Sequence, residues 1–267
     1  MSLVTRRMEN MNIVLKIGDQ AISSEELYPL LAQYRLLPQL AKEIIIDQAI
    51  ADITCTPEET NLAKQQFYQR LQISDETQLK AWLDAHGMTQ EQLEKLSVRD
   101  LKIEKFKQLT WADKLDPYFV KCKGQLDRVV YSLIRTKDPG VAQELYFRIQ
   151  EGENTLSELA RQYSQGSEAQ TGGLLGPVEL NTPHPKIAQI LAASRPGQLS
   201  PPTQIGDWWI ILRLEKYMSA QLDDKTRQRL LNELFQGWLL TQLQQNVSFS
   251  PPQVSAKKEQ SYTGQSS

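Results

Sequence analysis

The sequence predicts an α+β protein: a mostly helical N-terminal domain, a smaller module in which strands bracket helices, and one long C-terminal helix. Three observations carry this. Before about residue 120, helix-start signals recur ahead of apolar positions at helical spacing. Two β-branched and aromatic runs, 128–135 and 208–214, enclose a stretch of helical periodicity. Residues 222–246 carry Leu230, Leu231, Leu234, Phe235, Trp238 and Leu243, a stripe too apolar to be left in water.

Residues 13–17 read as a short strand that turns at Gly18-Asp19. Ser23 with Glu26 forms a capping box for a helix holding Leu27, Leu30, Leu31 and Tyr34, which Pro38 breaks. A second helix carries Leu40, Ile44, Ala49 and Ile53. Thr56, Pro57 and Glu59 supply an N-cap, a proline at the first helical position and a closing carboxylate, opening a helix with Leu62, Phe67 and Leu71. The next helix, 75–86, stops at Gly87. Thr89 and Gln92 cap another, with Leu93, Leu96, Leu101, Ile103 and Phe106. The pattern changes after Lys123-Gly124. The first strand is followed by a helix over 139–151 with Val141, Leu145 and Ile149 on one stripe, then helices over 156–163 and 186–194. The expected divisions are a helical domain over 1–123, the strand-and-helix domain over 124–218, the C-terminal helix within 219–247, and a tail over 248–267. That tail is rich in Pro, Ser, Lys and Gln and should be disordered.

Composition narrows the function. Of 267 residues, 40% are hydrophobic and 23% charged, as in ordinary globular chains, and the net charge of −2 gives no basic footprint for nucleic acid. Cys55 and Cys122 have no paired spacing, and His86 and His184 are too few and too distant to read as ligands. Neither a metal nor a cofactor is expected. Arg6 and Arg7 precede only five strand positions, one of them Lys16, where a secretory leader needs roughly 7–15 apolar residues. No stretch approaches the ~18 apolar residues of a membrane span. A cytoplasmic address and no membrane insertion are the expectations.

Residues 164–176 read Ser-Gln-Gly-Ser-Glu-Ala-Gln-Thr-Gly-Gly-Leu-Leu-Gly. A helix ending at Tyr163 precedes them; a Pro196-Gly197 turn and a Gly206-Asp207-Trp208-Trp209 strand start follow. This order resembles the parvulin family of peptidyl-prolyl isomerases over about a third of the chain, 128–217. The resemblance implies a parvulin-like domain, a small antiparallel sheet with surrounding helices. By analogy with the family's chaperone members, it also implies a C-terminal helix that returns to complete the helical N-terminal domain.

The resemblance also implies a site. The family's apolar trio falls at Leu175, near Pro183, and at Ile187. Its first-strand histidine aligns with Tyr131, its last-strand histidine with Trp209 or, one residue earlier, Trp208. Its Cys or Asp position falls at Gln165–Gly166, and the Asp often found after the double glycine is Leu174. None of these polar types is kept. Tyr131 becomes the candidate hydrogen-bond donor and catalytic residue. Trp208 and Trp209 alternate across a strand, so either they form an aromatic binding surface or one serves the core and the other the opposite face. His184, between two prolines, either lines the cleft mouth or is an exposed loop residue. Gly172 and Gly173 shape the rim or simply supply positive φ. His86, in a last helical turn, complements the helix dipole.

Two readings follow. One is an isomerase and folding factor acting on proline-containing polypeptide clients, with catalysis weakened by the lost polar groups. The other is a non-catalytic peptide-binding chaperone or adaptor that uses the same domain only to grip extended segments.

Overall fold

The computed structural model describes residues 12–250. The N-terminal residues up to 11 and the tail from 251 on, where two of the expectations fall, lie outside the described residues.

A hairpin, β1 (Ile13–Ile17) and β2 (Gln20–Ser23), leads into α1 (Ser24–Gln33), with the Ser23–Glu26 capping box formed. Then come α2 (Leu37–Ala49), α3 (Pro57–Arg70), α4 (Glu76–His86) and α5 (Gln90–Leu126). Thr56 and Glu59 cap α3 reciprocally, and α4 ends on Gly87 in the left-handed region. Pro38 plays the opposite part from the expected one. It sits in the first turn of α2, where its missing N–H costs nothing, while α1 has already ended at Gln33. Ile53 lies beyond the end of α2. Gly124 does not break α5, which runs on to Leu126; a helical glycine costs only about 1 kcal/mol.

The second half holds β3 (Arg128–Thr136), α6 (Pro139–Gln150), α7 (Leu156–Tyr163), a 3₁₀ turn (Ser167–Thr171), β4 (Leu174–Glu179), α8 (Pro185–Ala193), β5 (Leu199–Ile205), β6 (Trp208–Met218) and α9 (Asp224–Asn246). Its sheet has the order β4-β3-β6-β5, all antiparallel. Both faces are covered. On one, Tyr131, Leu133, Ile210, Leu212 and Leu214 pack with Ile187 and Leu191 of α8. On the other, Ile134 and Ile211 pack with Leu145 of α6 and Leu156, Leu159 and Ala160 of α7. The central strands are therefore almost continuously apolar, as burial on both sides requires.

The chain divides into two compact units, one of residues up to Thr110 with those from Asn232 on, the other Trp111–Leu231. These limits differ from the expected divisions at 123 and 218 because α5 and α9 each run unbroken through a boundary. In the first unit, Arg99 of α5 bonds Glu43 and Asp47 of α2 at 2.7 and 2.6 Å, and Lys105 reaches Glu59 of α3 at 2.6 Å. Phe235 and Trp238 of α9 pack on Phe106 of α5, centroids 6.3 and 5.2 Å away, and Lys107 bonds Asn232 at 2.6 Å. Among the described residues no helix is long and apolar enough to cross a membrane.

Candidate active site

Residues on β3 alternate in direction, so Tyr131, Leu133 and Arg135 face the same side of the sheet. Tyr131 stands opposite Leu175 in the β3–β4 register and opposite Leu214 in the β3–β6 register. The α8 segment completes a cleft of about 160 Å³ lined by Tyr131, Leu133, Arg135, Leu175, Pro183, His184, Ile187 and Ile210. Five residues singled out from the sequence, Tyr131, Leu175, Pro183, His184 and Ile187, thus meet at one place. Ile187 and Tyr131 are buried, Leu175 and Pro183 half-buried, and His184 is exposed at the mouth.

His184 is also the N-cap of α8, its Nδ1 accepting the Lys186 N–H at 3.2 Å. That bond occupies Nδ1 as the acceptor. The Tyr131 hydroxyl makes no hydrogen bond among the described residues. Burial, and then the charge of Glu168, push its phenol above the ordinary value, with Arg135 opposing. It remains a proton donor at neutral pH.

The two tryptophans do not line the cleft. Trp208 packs at the edge of the cleft-side cluster, with Arg135 and Lys137 over its ring at 5.8 and 5.3 Å. Trp209 pairs with Thr136 and Gln204 and, by alternation, points to the other face of the sheet.

The double glycine has a specific steric reason. Gly173, at φ +84°, lies where an added Cβ would sit 2.8 Å from the Leu133 carbonyl oxygen and 3.0 Å from Ala160 Cβ. Its own backbone ties the loop to β3: Leu133 N–H donates to Gly173 O at 2.9 Å, and Gly173 N–H donates to Glu168 O at 2.8 Å. Gly172, at φ +64°, closes the 3₁₀ turn.

Sequence reasoning missed the charged part of this region. Arg135 grips Glu168 in a two-point fork, Nε to Oε1 at 2.8 Å and Nη2 to Oε2. Ser164 Oγ donates to Oε1 at 2.6 Å and accepts the Arg135 N–H at 3.1 Å. Glu168 is only 2% exposed. Burial works to raise its carboxyl, but the bonds from Arg135 and Ser164 win and hold it below the usual carboxylate value. Gly166 makes room: an added Cβ would fall onto both the guanidinium and the carboxylate. The only local signal was Ser164 at a helix end, which reads as a cap rather than part of an ion pair. Among the described residues no group of His, Cys, Asp or Glu gathers as a metal site.

The antiparallel four-stranded sheet, the apolar cleft beside it and the glycine-shaped loop are the arrangement that the resemblance to the parvulin family implied. Residues 139–216 match the rotamase family, the PPIC-type PPIASE domain. It is 34% identical over 115 residues to chaperone SurA of Pseudomonas fluorescens, covering 39% of this chain and 26% of that protein. It is 33% identical over 102 residues to chaperone SurA of a Shewanella species, covering 34% and 24%. The chain thus spans about a quarter of the length of these curated relatives. Its fold is similar to that of the peptidylprolyl isomerase PrsA from Bacillus cereus, with a TM-score of 0.50 and 18% identity over 93% of this chain and 95% of that one.

Proposed function

We propose that this protein is a parvulin-like peptidyl-prolyl cis–trans isomerase and folding factor that acts on X-Pro segments of polypeptide clients. The cleft is the observation that carries the reading. An apolar cavity of ~150 Å³ is enough to hold benzene, so a space of about 160 Å³ walled by Leu175, Pro183, Ile187 and Ile210 suits a pyrrolidine ring. The matched PPIC-type domain and the chaperone relatives support the same reading.

Rotation about an X-Pro bond crosses a barrier of ~20 kcal/mol and needs no covalent step. The enzyme has only to bind the twisted amide better than either planar form. Leu175, Pro183 and Ile187 hold the ring and exclude water from the amide. That exclusion penalises the charge-separated planar form more than the twisted one. Tyr131, protonated and unpartnered in the cleft wall, donates to the substrate backbone and orients it. Exchange NMR on a panel of X-Pro tetrapeptides tests this. Accelerated exchange that falls in Tyr131→Phe is expected; a wild-type rate equal to the spontaneous one would remove the isomerase reading.

One observation favours the chaperone duty standing beside catalysis. In the first unit a groove of about 560 Å³ beside α2 and α5 is lined by Ile50, Ala51, Met88, Leu96 and Val98 within a charged rim. Suppression of aggregation of a proline-free unfolded client would then survive Tyr131→Phe; loss of both activities together would assign the binding to the cleft alone.

A further inference from the structure

We infer that Arg135 is a catalytic residue of the cleft: once a proline ring is seated against Leu175 and Ile187, the unpaired Nη1 of its guanidinium donates to the imide nitrogen as the bond twists. Glu168 and Ser164 are its positioning residues. The inference rests on the isomerase reading and names the polar group that reading otherwise lacks.

Four observations carry it. Arg135 lines the cleft, on the same side of β3 as Tyr131 and Leu133. Its Nε and Nη2 are committed to Glu168, while Nη1 has no acceptor among the described residues. It cannot swing freely. The carboxylate is itself held by Ser164, the Arg135 backbone is bonded to Ser164 and Gln165, and the guanidinium lies 5.8 Å from the Trp208 ring. Finally, Gly166 leaves the space that the fork occupies. A partly buried ion pair is poor evidence of stabilisation, because desolvation consumes most of the Coulombic gain. A donor fixed in place before the substrate arrives is what transition-state stabilisation requires.

The chemistry favours the twisted state. In the planar amide the nitrogen lone pair is delocalised into the carbonyl and accepts no hydrogen bond. On twisting it localises, and the nitrogen becomes an acceptor. A donor at that position gains its bond only near the top of the barrier, so it raises rate rather than affinity. The proton stays on arginine throughout, and no bond is made or broken.

The test separates rate from binding. The paired variant Arg135→Gln with Glu168→Gln removes both charges together, so neither is stranded, and keeps groups able to bond each other. Exchange NMR with an acetylated X-Pro tetrapeptide should show its affinity within about threefold of wild type and its isomerisation slowed on the order of 10²-fold, as for loss of one preorganised donor. Arg135→Lys, which keeps charge but loses the fork, should also be slowed. A wild type that catalyses, with a paired variant that does so equally well, makes the pair a structural staple and overturns only this assignment. A wild type that adds nothing to the spontaneous rate overturns the isomerase reading and this one with it. Should the paired variant not fold, wild-type side-chain ¹⁵N spectra decide. The Arg135 guanidinium signals should shift with the X-Pro peptide and not with its X-Ala counterpart. Signals that stay still while the Leu175 and Ile187 methyls move overturn the proposal.

Discussion

Tyr217, near the end of β6, donates its hydroxyl proton to Asp127 at the foot of β3, and so ties the two central strands together at one end of the pair. Asp127 is 4% exposed and takes two further bonds, from Ala220 N–H at 2.7 Å and Lys123 Nζ at 3.1 Å. Burial and then the Asp127 bond push the Tyr217 phenol from 10.0 up to about 12. A raised folded value means that the contribution is complete below pH 10 and is lost as the pH rises toward 12. Tyr217 should therefore be late to ionise in a spectrophotometric titration. Tyr217→Phe should lower the stability of the second unit by ~1.5–3 kcal/mol at neutral pH, the usual worth of a hydrogen bond to a charged group.

Glu168 carries the opposite sign. Its folded value lies below 4.5, so the stability it contributes is complete above pH 4.5 and is lost as the pH falls through the lower folded value. The thermal midpoint of the second unit should drop on acidification below pH 4.5. In Glu168→Gln that part of the slope should disappear.

Two glycines with similar backbone angles should respond differently to alanine. Gly206, at φ +60°, has open space where a Cβ would go, so Gly206→Ala should cost only the left-handed penalty of ~1–2 kcal/mol. Gly173, at φ +84°, faces the Leu133 carbonyl at 2.8 Å, and alanine there must also push β3 and its loop apart. Chemical denaturation of the two variants should rank Gly173→Ala as clearly the more damaging. Its peptide affinity should fall as well, because the loop leads directly into β4 and Leu175.

Phe235 is 4% exposed in the first unit, against Phe106 and under the Lys107 ammonium at 5.1 Å. Phe235→Ala should destabilise that unit by ~3–5 kcal/mol. Calorimetry would show it as a lowered transition for the first unit, with the X-Pro affinity of the cleft unchanged.

Titration with an X-Pro peptide should perturb Tyr131, Leu175, His184 and Ile187 together, and leave Trp209 still. Movement of Trp209 without Ile187 would place the peptide on the other face of the sheet.

What could be read from the sequence depended on how local the cause was. The Ser23 and Thr56 caps and the Gly87 stop act within four residues, and they were legible. Three strands were not: β2, β4 and β5. β4 contains Gly176-Pro177 and β5 contains Pro201-Pro202, residues that argue against a strand, yet both strands lie at the edges of the sheet, where a missing N–H is tolerated. The cleft residues Leu175, Pro183 and Ile187 came from a resemblance rather than from periodicity. Arg135 and Glu168 are 33 residues apart, and each alone looks like a surface charge. Only the register of β3 against its loop makes them a pair. For the tryptophans, alternation showed that they must part, but not which one would stay near the cleft.

The first unit is made of two stretches of chain, and the second is inserted between them. Translation therefore finishes the second unit while the first still lacks its closing segment. Domains fold as they emerge, so the cleft should be in place before Phe235 and Trp238 have been added to the chain. Through that interval Phe106 waits for Phe235 and Trp238, on which it packs in the finished protein. Each newborn molecule should thus pass through a stage in which a finished second unit is joined to a first unit that still lacks its last stretch of chain.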